Sequence, residues 1–381
     1  MKVKRVATAP LAILLFTLLT PVTLSQQGTA PATTSKLLEL KILSPSLKGN
    51  LLGDPAEQPV YVYLPPEYDG STKRYPTLYL LHGFTSNSSV WINGQYQGMK
   101  LQTLMDDSIK SGKVREMIVV AANGSNAYKG SFYTNSAVTG NWEDFIIRDL
   151  VNYVDTKYRT IPQAESRGIA GHSMGGYGSI MLGMKHPEIF GAVYALSPCC
   201  LAMEADMSEA NSAWPGVLQL TSKDQLNVTP RSFGQFYHSA FIALSAAFSP
   251  NPNRPPFFVD FPFEPKSGIC NPPPEGKLLT NAPCVQKNEA VYAKWRSNFP
   301  VYIADAKKEN LKKLRGIFID YGANEEFEHI RTGVKLLSKI FSELNIPHQF
   351  EIYADGDHGS LIRQRMETRL LPFFNEKLLF K

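Results

Sequence analysis

The run Gly171-His172-Ser173-Met174-Gly175-Gly176 constrains this chain more than any other feature. It stands between a short strand-like segment, Arg167-Gly168-Ile169-Ala170, and a stretch of small residues with helical spacing that runs from Tyr177 to a proline stop at Pro187. A serine on a strand-to-helix turn is held in a strained backbone conformation with its hydroxyl presented outward, and glycines two residues before and after it let neighbouring backbone approach closely. Ser173 is therefore the candidate nucleophile of a nucleophile elbow.

Around that turn the chain has 381 residues, 43% of them hydrophobic, enough to bury a large core. Its start reads separately. Lys2, Lys4 and Arg5 precede an apolar run from about Ala7 to Leu19, broken by Pro21 and followed by small and polar residues, the layout of a secretory signal over residues 1–25. Cleavage is expected near Ser25 or between Ala30 and Ala32. A membrane anchor would need about 20 unbroken apolar residues, and the run between Pro10 and Pro21 is shorter. The sequence thus predicts a secreted or periplasmic protein with no stable membrane span after cleavage. Losing that segment removes three of the five net positive charges and leaves +2. The remaining cations are interspersed with acids, as in Lys307-Lys308-Glu309, so no nucleic-acid footprint is implied.

Neither a phosphate loop nor a dinucleotide glycine fingerprint occurs, and no cofactor is expected. Cys199, Cys200, Cys270 and Cys284 show no metal-ligand spacing. A bond between the adjacent Cys199 and Cys200 would be strained, so either each pairs with Cys270 or Cys284, or Cys270–Cys284 closes one local loop. Asn87, Asn123 and Asn227 begin N-x-S/T triplets.

Apolar runs alternating with helical ones predict an α/β protein: a mostly parallel central sheet of about eight strands with helices on both faces. The strands are expected at Leu37–Ile42, Val60–Leu64, Thr77–Leu81, Met117–Ala121, Gly168–Ala170, Ala192–Leu196, Gly316–Tyr321 and Gln349–Tyr353, with the first two antiparallel. Apolar stripes place helices over Asp144–Tyr158 and Val334–Leu344. Residues 26–381 form one domain on this reading. Residues 201–300 break the rhythm, carrying 13 of the 27 prolines together with many aromatics. They read as a lid or cap insertion before strand seven, set over the sheet rim where ligands bind in open α/β sheets.

A serine hydroxyl needs a base, an acid to hold the base, and N–H donors for the oxyanion. With the partners following in the order serine, acid, histidine, His82 and His172 drop out and His186, His238, His329, His348 and His358 remain. His358 alone follows the last strand on a flexible Asp355-Gly356-Asp357-His358-Gly359 loop, and is assigned the general base. Glu325, three residues past the strand-ending Gly322, is assigned the acid, ahead of Glu326 and Asp320. The Met174 amide and the Phe84 amide, in the loop after the third strand, are the expected oxyanion donors. His82 orients that loop or packs beneath it. Trp91, Tyr133 and Trp142 are candidates for lining the cleft, with core packing as the alternative.

With these residues placed, the sequence resembles the esterase D-like branch of the α/β-hydrolases, which includes S-formylglutathione hydrolases, feruloyl esterases and mycolyltransferases. The resemblance rests on Tyr79-Leu80-Leu81-His82-Gly83, on Trp142-Glu143-Asp144, on Gly171 through Gly178, on His186-Pro187 and on Gly322 through Glu325. It implies a metal-independent carboxylic ester hydrolase or acyltransferase with the triad Ser173, Glu325 and His358. Many members carry aspartate where Glu325 stands, and the segment 201–300 maps to no pattern of the family. The reading is an exported serine esterase acting on a small-molecule or carbohydrate-linked ester. Its alternatives are transfer of the acyl group to a sugar or other alcohol, and a non-catalytic extracellular binding protein on a hydrolase scaffold.

Overall fold

Among the described residues eight strands form one sheet whose spatial order, numbered along the chain, is 1-2-4-3-5-6-7-8. They are β1 (Lys36–Leu43), β2 (Glu57–Leu64), β3 (Thr77–Leu81), β4 (Ile118–Ala122), β5 (Arg167–His172), β6 (Ala192–Leu196), β7 (Gly316–Gly322) and β8 (Gln349–Tyr353). The computed structural model describes residues 1–2, 34–226, 233–267 and 277–380. Residues 3–25 of the expected signal segment, Asn227 and Cys270 therefore lie outside the described residues. Thr33–Lys381 is a single unit.

The strand chemistry explains the order. β3 and β4, Thr-Leu-Tyr-Leu-Leu and Ile-Val-Val-Ala-Ala, are buried at every position, as expected of central parallel strands covered on both faces. β1 alternates Leu38, Leu40 and Ile42 with exposed Glu39 and Lys41, and pairs antiparallel with β2 at the edge. Successive residues feed opposite cores. Tyr79, Leu81, Val120, Ile169, Val193 and Ile319 pack on one face, and Leu78, Leu80, Val119, Ala170, Tyr194 and Phe318 on the other. The first face is covered by the helical run 142–157, by α3 (Met174–Lys185) and by a helix at Glu328–Glu343; the second by α1 (Leu101–Lys110) and the C-terminal helical run 362–377. We number the 142–157 run α2, and it contains a π-helical stretch at Phe145–Leu150.

Two expectations need correction. The 201–300 segment is not irregular throughout, because it contains α4, a 16-residue helix at Phe233–Phe248. From Tyr237 to Phe248 every residue but His238 is buried, so no polar face marked the helix in the sequence. The expected Val334–Leu344 helix is α5, Glu328–Glu343, which starts six residues earlier because His329 and Ile330 of its first turn point inward.

Candidate active site

β5 ends at His172, and α3 begins at Met174. Between them Ser173 has φ 56° and ψ −114°, outside the regions open to most L-residues. Its N–H donates to the Leu196 carbonyl at 2.9 Å, and its carbonyl accepts from Tyr177 N–H at 3.0 Å and Cys199 N–H at 3.2 Å. The glycines are sterically required here. A Cβ on Gly171 would lie 2.4 Å from the Gly175 carbonyl, and one on Gly175 would lie 2.2 Å from the Leu81 carbonyl oxygen. Gly175→Ala is therefore expected to force β3 away from the elbow, at about 1–3 kcal/mol of stability, read as a lowered Tm with turnover lost in parallel.

Gly83 brings the loop after β3 against this turn, since a Cβ on it would stand 3.4 Å from the Ser173 Cβ. Thr85 N–H donates to Lys129 and Ser86 N–H to Gly83. The Phe84 N–H just before them donates to no acceptor among the described residues. The Met174 N–H opens α3 and has no intrahelical partner. His82 holds this loop from beneath. Its Nε2 accepts from Gly124 N–H at 2.8 Å, so its Nδ1–H donates to the Gly83 carbonyl at 2.8 Å. Burial lowers its pKa to about 4, which keeps the ring neutral.

The loops after β7 and β8 meet backbone to backbone. A Cβ on Gly322 would lie 2.0 Å from the Gly356 carbonyl oxygen, and Asn324 N–H donates to that same carbonyl at 2.8 Å. This contact brings His358 Nδ1 to 3.0 Å from Glu325 Oε2, with the Glu325 carboxylate fully buried. Burial pushes the Glu325 carboxyl above its ordinary range and the His358 imidazole well below its own. Exposed Glu326 accepts the backbone N–H of His358 at 2.9 Å. Asp320, the other acid considered, lies elsewhere: wholly buried, it pairs with Arg365 and accepts from Tyr194 O–H at 2.6 Å.

Ser173 and His358 line one cavity of ≈ 240 Å³. Its walls are largely apolar, with Phe84 and Phe132 from the sheet rim, Phe236, Ala240 and Leu244 from α4, and Phe327 against the His358 ring at 4.8 Å. Trp91, Tyr133 and Trp142 do not line it. All three are buried in the cores, where the Trp142 indole N–H donates to Thr139 and the Tyr133 O–H donates to the His82 carbonyl.

Three residues the sequence reading passed over bear on this site. His172 Nε2–H donates to the His358 carbonyl at 2.8 Å, while Tyr96 O–H donates to His172 Nδ1 at 3.0 Å, so a neutral His172 supports the His358 loop. The third is Asp206. It binds His329 at both the backbone N–H, 2.6 Å, and Nδ1, 2.9 Å, in the wall of the same cavity. Burial opposes charge on His329, but Asp206 outweighs it and raises the pKa to about 10. An imidazole protonated at neutral pH has no lone pair to offer a hydroxyl, which distinguishes His329 from His358 as a base. His186, His238 and His348 lie outside the cavity lining. Because His329 is raised from 6.5 to about 10, the stability of this pair is complete below pH 6.5 and lost as pH rises toward 10. Urea midpoints should fall across that window, and a flat profile would contradict the pairing.

Sheet order, elbow and the two contacting loops define an α/β-hydrolase. The family model described as "Putative esterase" matches residues 55–361. The chain belongs to that esterase family. It is 36% identical over 140 residues to an endo-1,4-beta-xylanase/feruloyl esterase of Xylanibacter ruminicola, covering 35% of this chain and 18% of that protein. It is 31% identical over 131 residues to an esterase of Mycobacterium tuberculosis, covering 33% and 26%. The chain thus matches about a fifth to a quarter of the length of these curated relatives. Among solved structures, a ferulic acid esterase superposes with TM-score 0.58 at 20% identity over 91% of this chain and 100% of that one. An S-formylglutathione hydrolase from Agrobacterium tumefaciens superposes with TM-score 0.57 at 17% identity over 92% and 98%. At these identities the structures attest the fold.

Cys199 and Cys200 are both free thiols, which overturns the pairing of each with Cys270 or Cys284. Both are buried on the loop after β6, in the wall of the cavity.

Proposed function

We propose that the protein is an exported serine esterase that hydrolyses carboxylic esters through Ser173, His358 and Glu325. The observation that carries this reading is that a strained serine and a neutral, carboxylate-held histidine open onto one apolar cavity beside two backbone N–H donors that have no acceptor among the described residues. Glu325 holds the Nδ1–H of His358, so Nε2 is left as acceptor and takes the Ser173 proton as Oγ attacks the ester carbonyl. The Phe84 and Met174 amides receive the charge that develops on the carbonyl oxygen. His358 then protonates the leaving alcohol, and water, deprotonated by the same imidazole, releases the acid from the acyl-enzyme.

The acyl group is assigned to the cavity under α4, with the 201–300 segment acting as its cap. A space of ≈ 240 Å³ among Phe84, Phe132, Phe236 and Phe327 suits an aromatic or medium-chain acyl group, and the names of the feruloyl esterase relatives support an aromatic one. Export rests on the basic start and apolar run of residues 1–25. An oxidising destination accords with the disulfide at Cys284.

Turnover of p-nitrophenyl esters with short, long and aromatic acyl groups tests the assignment. Aromatic and medium chains should give the highest kcat/KM, and Phe236→Trp in the cavity wall should lower it for these while sparing acetate. Equal loss across all acyl groups would remove the acyl group from this cavity.

A further inference from the structure

The cavity wall beside the nucleophile holds a second set of reactive side chains with no part in the hydrolysis. Cys200 Sγ–H donates to Cys199 Sγ across 2.8 Å. His329 stands beside Cys199, and its Nδ1 is held by Asp206 at 2.9 Å, which leaves the buried Nε2 outside that pair. A cysteine, a histidine and an aspartate in this sequence of contacts form the arrangement that generates a thiolate–imidazolium pair. A buried cysteine is ordinarily an inert small hydrophobe whose thiol is pushed up in pKa. Cys200 behaves so, since burial raises it well above 9.0. Cys199 does not. Burial pushes it up as well, but the hydrogen bond from Cys200 and the charged His329 prevail and bring it to about 7.

We propose that Cys199 and Cys200 form an oxidation site in the acyl cavity, at which Cys199 is the peroxide-reactive thiolate and Cys200 the resolving thiol. The Cys199 thiolate attacks one peroxide oxygen, the O–O bond breaks, and the hydroxide released takes up a proton, leaving Cys199 as a sulfenic acid. Cys200 then attacks the Cys199 sulfur, the S–O bond breaks, and a second water leaves as the disulfide forms. Two thiols are oxidised by two electrons and one peroxide is reduced to two waters. A small-molecule thiol such as dithiothreitol reverses the step by exchange. Adjacent residues lie closer than the spacing usual for a disulfide, which favours reversal.

The site is coupled to the esterase centre by position. The Cys199 N–H that donates to the Ser173 carbonyl belongs to the loop that would have to rearrange, and oxidation removes the anion facing His329. The oxidised form should therefore hydrolyse esters more slowly, without having lost any of Ser173, His358 or Glu325.

The test treats the reduced full chain with dilute hydrogen peroxide at pH 7 and reads the peptide containing both residues by mass spectrometry, a readout independent of ester turnover. The expected result is a loss of two hydrogens and of both alkylation sites on that peptide, restored by dithiothreitol. Cys200→Ser should instead give a dimedone adduct on Cys199, while Cys199→Ser should give neither product. His329→Gln should slow iodoacetamide labelling of Cys199 by about tenfold at pH 7, because an ordinary thiol is only a few per cent ionised there. Should that variant fail to fold, the pH dependence of labelling in the wild type replaces it, with a midpoint near 7 expected. Retention of both thiols under peroxide that oxidises free cysteine would overturn the proposal. So would a dimedone adduct on Cys200 instead of Cys199.

Discussion

Ser173→Ala lowers kcat/KM for a p-nitrophenyl ester by on the order of 10⁵-fold or more, with the fold retained. The size follows from the unit in which the serine acts. Without Oγ there is no acyl-enzyme, and the Phe84 and Met174 amides with the cavity can assist only attack by water. Retention of the fold follows from the bonds at this position, which among the described residues are all made by its backbone: Ser173 N–H to Leu196, and Ser173 carbonyl to Tyr177 and Cys199. Alanine keeps them and tolerates a positive φ no worse than serine does. Thermal unfolding should therefore move little while turnover collapses.

The second large effect separates two neighbouring acids. Glu325→Gln is expected to reduce kcat by about 10³- to 10⁴-fold. A neutral amide cannot balance the imidazolium that forms as His358 takes the serine proton, and its NH₂ group can hold the ring in the wrong tautomer. Glu326→Gln should stay within about threefold of wild type, since its carbonyl oxygen can still accept the His358 backbone N–H and its side chain is exposed. Steady-state kinetics on the two variants, with folding checked by circular dichroism, decides the matter. A large loss at Glu326 with little at Glu325 would move the acid by one residue and require a different loop geometry.

These two residues also show what the sequence made legible. The sheet was readable because its strands are short runs that are either mostly apolar or alternate apolar with polar residues, and Thr77–Leu81, Ala192–Leu196 and Gln349–Tyr353 occur at the expected bounds. Ser173, Glu325 and His358 were legible as candidates because each stands within five residues of the end of a strand. What stayed hidden depends on contacts distant in the chain. Arg365 reaches Asp320 from a C-terminal helix that no periodic pattern had marked, and so removes Asp320 from the choice of acids. Asp206 meets His329 across 123 positions. Tyr96 meets His172 across 76. The helix at Phe233–Phe248 is buried nearly all round and gives no amphipathic signal in the proline-rich stretch that encloses it. His172 had one available signal, its place beside the nucleophile, but its use is to carry a hydrogen bond to the His358 carbonyl instead of a proton from Ser173.

The central claim is that Ser173 is a nucleophile activated within this cavity, and labelling with a fluorophosphonate tests it most directly. The reagent should phosphonylate the folded wild type at one residue, identified by peptide mass spectrometry as Ser173, with turnover lost in step with labelling and with Ser173→Ala unlabelled. Labelling at another residue, or none in a protein that still turns over esters, would contradict it.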